Sequence, residues 1–205
     1  MRIKYLFILY TLCFSSSLFA KINVSVLSKN KEMKSINNLA NELRRRTSID
    51  IEDKLIYYED LEQLTRNEAW AWVKDQNLLL NKSKRFDKRV VAWIKRGGFL
   101  VLEKFSSFDE LQGMTFGQFQ ESKNKGSWNV IPSDHALMRS FYLLKSLPTC
   151  FKDQVWYAYY FDKRLAILAS PIDFLLAGEK SKSFSHCQEK MSQETLNRVF
   201  INIVM

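Results

Sequence analysis

The sequence predicts an α/β domain of three layers, with a mostly parallel sheet that also carries an antiparallel hairpin. Three observations predict it. Residues 85–105 read as a helix, a glycine stop and a buried strand, which is the αβ half of a parallel unit. Short apolar or alternating runs recur at 22–27, 69–73 and 99–102, and stretches of helical spacing lie between them. Residues 155–161 and 164–170 are strand-like runs separated only by Asp162 and Lys163, which is hairpin spacing, although Asp-Lys is a poorer turn pair than Asp-Gly.

Residues 1–20 read as a secretory signal. Arg2 and Lys4 form the positive start, 5–14 the apolar core, and 15–20 the small and polar end, with cleavage after Ala20. The apolar run is shorter than the ~20 residues that span a bilayer, which favours cleavage over an anchor. Cys13 follows Leu12, not the small residue a lipoprotein signal uses. The expectation is a periplasmic or secreted protein. It has one domain over 21–205 and no transmembrane segment after cleavage.

The elements follow in order. Residues 22–27 alternate and read as the first strand. Ser35 caps a helix to Arg46, with Ile36, Leu39, Ala40 and Leu43 inward and three arginines at its end. Residues 47–51 read as a second strand by β-branching, and 55–61 as a connection. Residues 69–73, AWAWV, are a buried strand, and 77–83 lead into the next helix. There Phe86, Val90, Trp93 and Ile94 share one helical face. Gly97 ends that helix and 99–102 form a strand buried on both sides. Ser107 opens a short helical piece to Leu111, and 112–126 read as a glycine-bearing loop. Residues 128–131 are a strand, 134–142 a turn or short helix, 171–178 a turn and 178–193 a polar loop. A closing helix over 194–205 turns Leu196, Val199, Phe200 and Ile203 inward. The chain stops in an apolar stretch, 200–205, and the expectation is either a domain incomplete at its C-terminus or an unusually abrupt natural end.

The formal net charge of +9 has two contributions from Arg2 and Lys4. In an exported protein this charge does not serve nucleic acid. An anionic surface or an envelope protein partner fits it, and so does the plain solvation of helix faces. Cys150 and Cys187 remain after cleavage. An oxidising compartment permits a disulfide between them, and two separate thiols satisfy the sequence equally.

Four segments, in this order, resemble the bacterial domain of unknown function 4159 family. They are LANELRRRTSID (39–50), VVAWIKRGGFLVLE (90–103), VIPSDHALMRSFY (130–142), and SPIDFLLAG (170–178) with NRVFINIVM (197–205). The resemblance implies a fold similar to class I glutamine amidotransferases, with a flavodoxin-like sheet flanked by helices. It also implies export or membrane tethering beside aerotolerance-type operons of MoxR-family ATPases and von Willebrand A proteins, with no established activity.

Ligands of open parallel sheets bind at the carboxyl ends of strands. That rule points to Ser28 and Lys29, Lys74 and Asp75, Glu103 and Lys104, and Ser170 with Asp173. Amidotransferase-like enzymes carry a nucleophilic cysteine on the turn where this chain has Glu103 and Lys104. A carboxylate does not replace a thiolate there. His135 is a candidate for proton transfer, because imidazole titrates near neutral pH. Against that, Asp134 caps the following turn and His135 merely begins it. His186 beside Cys187 is too little for zinc, so neither metal nor cofactor is expected. Trp70, Trp72 and Trp93 read as packing. Trp128, Trp156, Tyr157, Tyr159 and Tyr160 form an aromatic hairpin able to cover a sugar, a partner or the chain itself. The expected function is a non-catalytic, exported binding or assembly domain of the cell envelope. The alternatives are a hydrolase using His135 with Glu103 or Asp134, and a carbohydrate-binding domain using the hairpin.

Overall fold

The computed structural model describes residues 25–27, 34–47, 56–58, 61–67, 70–74, 76–105, 107–119, 126–149, 153–173 and 193–204. In chain order the strands are β1 (Ser25–Leu27), β2 (Ile56–Tyr58), β3 (Trp70–Val73), β4 (Phe99–Glu103), β5 (Ser127–Val130), β6 (Tyr157–Phe161) and β7 (Arg164–Ser170). The helices are α1 (Lys34–Arg46), α2 (Leu61–Asn67), α3 (Lys88–Lys95), α4 (Phe108–Thr115) and α5 (Gln193–Val204). Short 3₁₀ turns occupy Gln76–Leu79 and Ala136–Met138.

The strands form one mixed seven-stranded sheet in the order β2-β1-β3-β4-β7-β6-β5. The first five in that order run parallel. β6 and β5 then run antiparallel at one edge. Central strands buried on both faces need apolar residues at every position. β3 and β4 show this, each with only its first residue partly exposed.

Alternation along the strands splits the core in two. On one face Val26, Trp72, Val101 and Leu168 pack with Leu39 and Leu43 of α1 and Leu196, Val199 and Phe200 of α5. On the other, Leu27, Val73, Leu100, Leu102 and Ile167 pack with Val90, Trp93 and Ile94 of α3 and with Leu111 and Met114 of α4. Helices therefore cover both faces of the sheet.

The joint between α3 and β4 explains the Gly-Gly pair. Asp87 caps α3 by accepting from the Arg89 amide at 2.9 Å. Gly97 has φ +118°, where a Cβ is strained. Gly98 has an ordinary backbone, but a Cβ there would lie 2.4 Å from the Trp93 ring. One glycine is needed for conformation and the other for room. Arg164 completes the joint by donating to the carbonyl oxygens of Ile94 (2.6 Å) and Gly98 (3.1 Å). A cation at that helix end complements the dipole.

The β6–β7 hairpin turns on Asp162 and Lys163, with φ of 52° and 60°. Two residues of positive φ make the turn that matches strand twist, and glycine suits it best. Lys163→Gly is expected to stabilise the protein by about 0.5–1 kcal/mol, because left-handed backbone strain exceeds the extra entropy lost by glycine. A urea midpoint that does not rise would count against this.

Several boundaries differ from the sequence reading. The second strand is Ile56–Tyr58, inside the stretch read as a connection, and α2 follows it directly. Thr47 is no strand residue: its amide and hydroxyl both donate to the Leu43 carbonyl, closing α1. Residues 48–51 lie outside the described residues. Ser35 falls inside α1 and is not its cap. The loop read at 112–126 begins as helix, because α4 continues to Thr115 behind a Ser107 cap that accepts from Glu110 N at 3.2 Å. Phe86 is buried as expected but precedes the α3 cap, bridging Leu80 and donating its amide to Met114 O.

Candidate functional site

The carboxyl ends of β3, β4 and β7 meet in one rim. Register sets Trp72 beside Val101, and Glu103 beside Ser170. Side chains alternate along a strand, so Trp72 and Glu103 share a face and lie on a diagonal. Glu103 is buried, and its Oε1 accepts from Trp72 Nε1 at 2.5 Å. The Gln76 side chain donates to the Glu103 carbonyl oxygen. Lys104 follows with φ 55°, and its amide donates to Ser170 O at 2.9 Å. Lys74 N donates to Leu27 O at 3.1 Å, which ties the β3 exit to β1.

Ser170 is fully buried. Its hydroxyl lies 3.3 Å from both the amide and the carbonyl oxygen of Ile172, inside its own turn. Asp173 ends that turn, half-buried. Glu103, Lys104, Ser170 and Asp173 are thus neighbours along two adjacent strand ends. Asp75, Ser28, Lys29, His186, Cys150 and Cys187 lie outside the described residues.

His135 follows β5, the edge strand. It caps the Ala136–Met138 turn itself, with Nδ1 accepting from Leu137 N at 3.1 Å. This corrects the reading of Asp134 as the cap. An accepting Nδ1 leaves the proton on Nε2, which lies 2.5 Å from Tyr160 Oη. Tyr160 pairs with Leu165 and Glu103 with Ser170, so they stand at opposite ends of β7, about 16 Å apart along the strand. Glu103 and Asp173 therefore share one end of the sheet, and the Tyr160 partner of His135 belongs to the other.

Burial pushes the His135 pKa below its ordinary 6.5, with Asp134 pulling the other way. The folded state therefore binds its proton later than the unfolded chain as pH falls. The stability from neutral His135 is complete above pH 6.5 and drains as the pH drops through the lowered folded value. His135→Ala is expected to cost about 1–2 kcal/mol, for the cap and the tyrosine bond, and to flatten that acid slope. An unchanged slope in pH-dependent denaturation would count against it.

Trp72 and Gln76 carry no site signal in the sequence, yet both bond Glu103. The missing signal was parity: in a parallel register, an indole two residues up the neighbouring strand faces the carboxylate. Trp72→Phe is expected to cost about 2–4 kcal/mol, because it removes a donor from a buried carboxyl group. A double-mutant cycle with Glu103→Gln should return a coupling of about 1–3 kcal/mol.

The aromatic hairpin is largely interior. Trp156 is buried and donates to Pro148 O at 2.7 Å. Tyr157 stacks on Phe108, with ring centres 4.6 Å apart. Tyr159 packs against Phe119 and Trp128. Burial pushes its hydroxyl up to about 12. Trp128 is half-exposed and donates to Thr115 Oγ1 at 3.0 Å.

The remaining motifs are joints. Arg46 forms a two-pronged pair with Glu194 at 2.8 and 2.6 Å, which ties α1 to α5. Arg46 and Arg198 together pull the Glu194 pKa down to about 2. Among the described residues, no group of three or more His, Cys, Asp or Glu is placed to hold a metal ion. No helix among them is long and apolar enough to cross a membrane. A search of the curated proteins gives no match. The family model described as domain of unknown function (DUF4159) matches residues 19–205, and the chain belongs to that family.

Proposed function

We propose that this member of the DUF4159 family is a non-catalytic binding or assembly domain of the bacterial cell envelope, built on a flavodoxin-like frame. The parallel strands run 2-1-3-4 and then β7, which follows the 2-1-3-4-5 order of doubly wound folds that bind ligands between the ends of β1 and β3. Lys74 leaves the sheet at that point.

One observation carries the proposal. The corner where amidotransferase-like enzymes hold their nucleophile carries a carboxylate turned inward onto Trp72, followed by a left-handed lysine. The nearest hydroxyl, Ser170, is closed into its own turn, and the candidate base His135 caps the Ala136–Met138 turn with one ring nitrogen and meets the Tyr160 hydroxyl with the other. A nucleophile needs a base within hydrogen-bond reach, and among the described residues Ser170 is bonded within its own turn and His135 to Leu137 N and Tyr160.

The test pairs two measurements. Exported protein carrying Lys74→Glu and Lys104→Glu should melt within a few degrees of the parent and lose stoichiometric capture of its envelope partner. An electrophilic acyl analogue should leave residues 103, 104 and 170 unlabelled. Covalent labelling there, or hydrolytic turnover abolished by His135→Ala, defeats the proposal.

A further inference from the structure

We infer that the outer face of α3, with the loop before it and the end of α4, is a docking surface for an anionic phospholipid membrane. This deepens the binding reading by naming the surface on which the domain rests.

The charge is concentrated. Lys82, Lys84, Arg85, Lys88, Arg89, Lys95 and Arg96 are exposed within fifteen residues, with Asp87 the only carboxylate in that run. Arg66 of the neighbouring α2 joins them. Glu62, Arg66, Arg89 and Arg96 line one open cleft of about 710 Å³. Glu62 and Asp87 each hold one arginine, and the excess over these two acids is still strongly positive. Arg96 also donates to Thr65 O at 3.1 Å, which fixes one guanidinium at the cleft.

The second observation is apolar. Phe116, just past α4, is 65% exposed, and the Arg85 guanidinium lies over its ring at 5.2 Å. An exposed aromatic with a guanidinium over its face, beside a run of further cations, suits an interface where the ring enters the acyl boundary and the cations meet phosphates. Phe116 also lines a cleft of about 470 Å³ with Phe119, Trp128 and Tyr159, but the concentration of cations beside it is the feature that an anionic lipid surface complements. Asp109 and Glu110 lie in the first turn of α4, about 10 Å along its axis from Phe116, so they do not neutralise the ring's surroundings.

The probe is vesicles of phosphatidylglycerol and phosphatidylethanolamine, compared with phosphatidylcholine vesicles of equal size. The full chain is used. Residues 1–20, with Arg2 and Lys4, are common to every variant, so the change in the affinity ratio from parent to variant reads the substituted charges alone. The parent should prefer anionic vesicles by a hundredfold or more at low salt, and that preference should fade as salt rises. Lys82→Gln, Arg85→Gln and Lys88→Gln together remove three cations worth about fivefold each, so the ratio should drop about a hundredfold. The melting temperature should hold. Phe116→Trp should show blue-shifted emission that brominated anionic lipid quenches. Equal binding to both lipids, a triple variant that keeps the preference, or tighter binding to duplex DNA at the same salt would each overturn the inference. Vesicle failure with envelope-partner capture intact would remove the lipid assignment alone.

Discussion

Asn202→Leu is expected to destabilise the protein by about 3–5 kcal/mol, because one buried amide serves four backbone groups and leucine serves none. Its Nδ2 donates to the carbonyl oxygens of Leu137 (2.7 Å) and Tyr142 (2.8 Å). Its Oδ1 accepts from the amides of Phe141 (3.2 Å) and Tyr142 (2.8 Å). The side chain thus satisfies both ends of the irregular segment after the 3₁₀ turn, which has no ladder of its own. In a chain this long the cost corresponds to a melting temperature lower by roughly 10 °C. A shift of only a degree or two would mean that water replaces those bonds freely.

Gly98→Ala should cost about 3 kcal/mol, at the upper end of overpacking, since the new methyl group would sit inside the Trp93 ring. Trp93 is buried against the sheet and cannot swing aside. The adjacent Gly97→Ala meets open space and should cost only about 1–2 kcal/mol, through added backbone strain. The two are separable by a second change. Trp93→Leu should relieve Gly98→Ala and leave Gly97→Ala untouched. Equal costs for the two glycines, with no relief, would defeat the assignment of space to one and conformation to the other.

Much of this frame was legible in the sequence because its strands are apolar on both faces. The strands at 70–73, 99–103 and the β6–β7 pair announce themselves by burial alone, and the Asp162-Lys163 spacing fixes the hairpin. β2 was missed because three residues bounded by charge give no measurable period. α4 was cut short because Gly113 reads as a breaker, while the Ser107 cap and buried Leu111 and Met114 outweigh one glycine.

The site was less legible. Carboxyl-end logic did bring Glu103, Lys104, Ser170 and Asp173 to one rim. It said nothing of where their side chains turn, because that depends on register across strands. Trp72 looked like packing and is also the donor to Glu103. The cap of the following turn reads as Asp134 in the sequence and is His135 in the structure.

The clamp between α1 and α5 also sets a clock. Arg46 and Glu194 are 148 positions apart. At ~5–20 residues per second, synthesis separates them by about 7–30 s. Throughout that interval the sheet face bearing Val26, Trp72 and Val101 has α1 but lacks its second cover. The chain should therefore be a strong client for holdases until α5 is in place, and released chains truncated before residue 193 should stay protease-sensitive while the full chain does not.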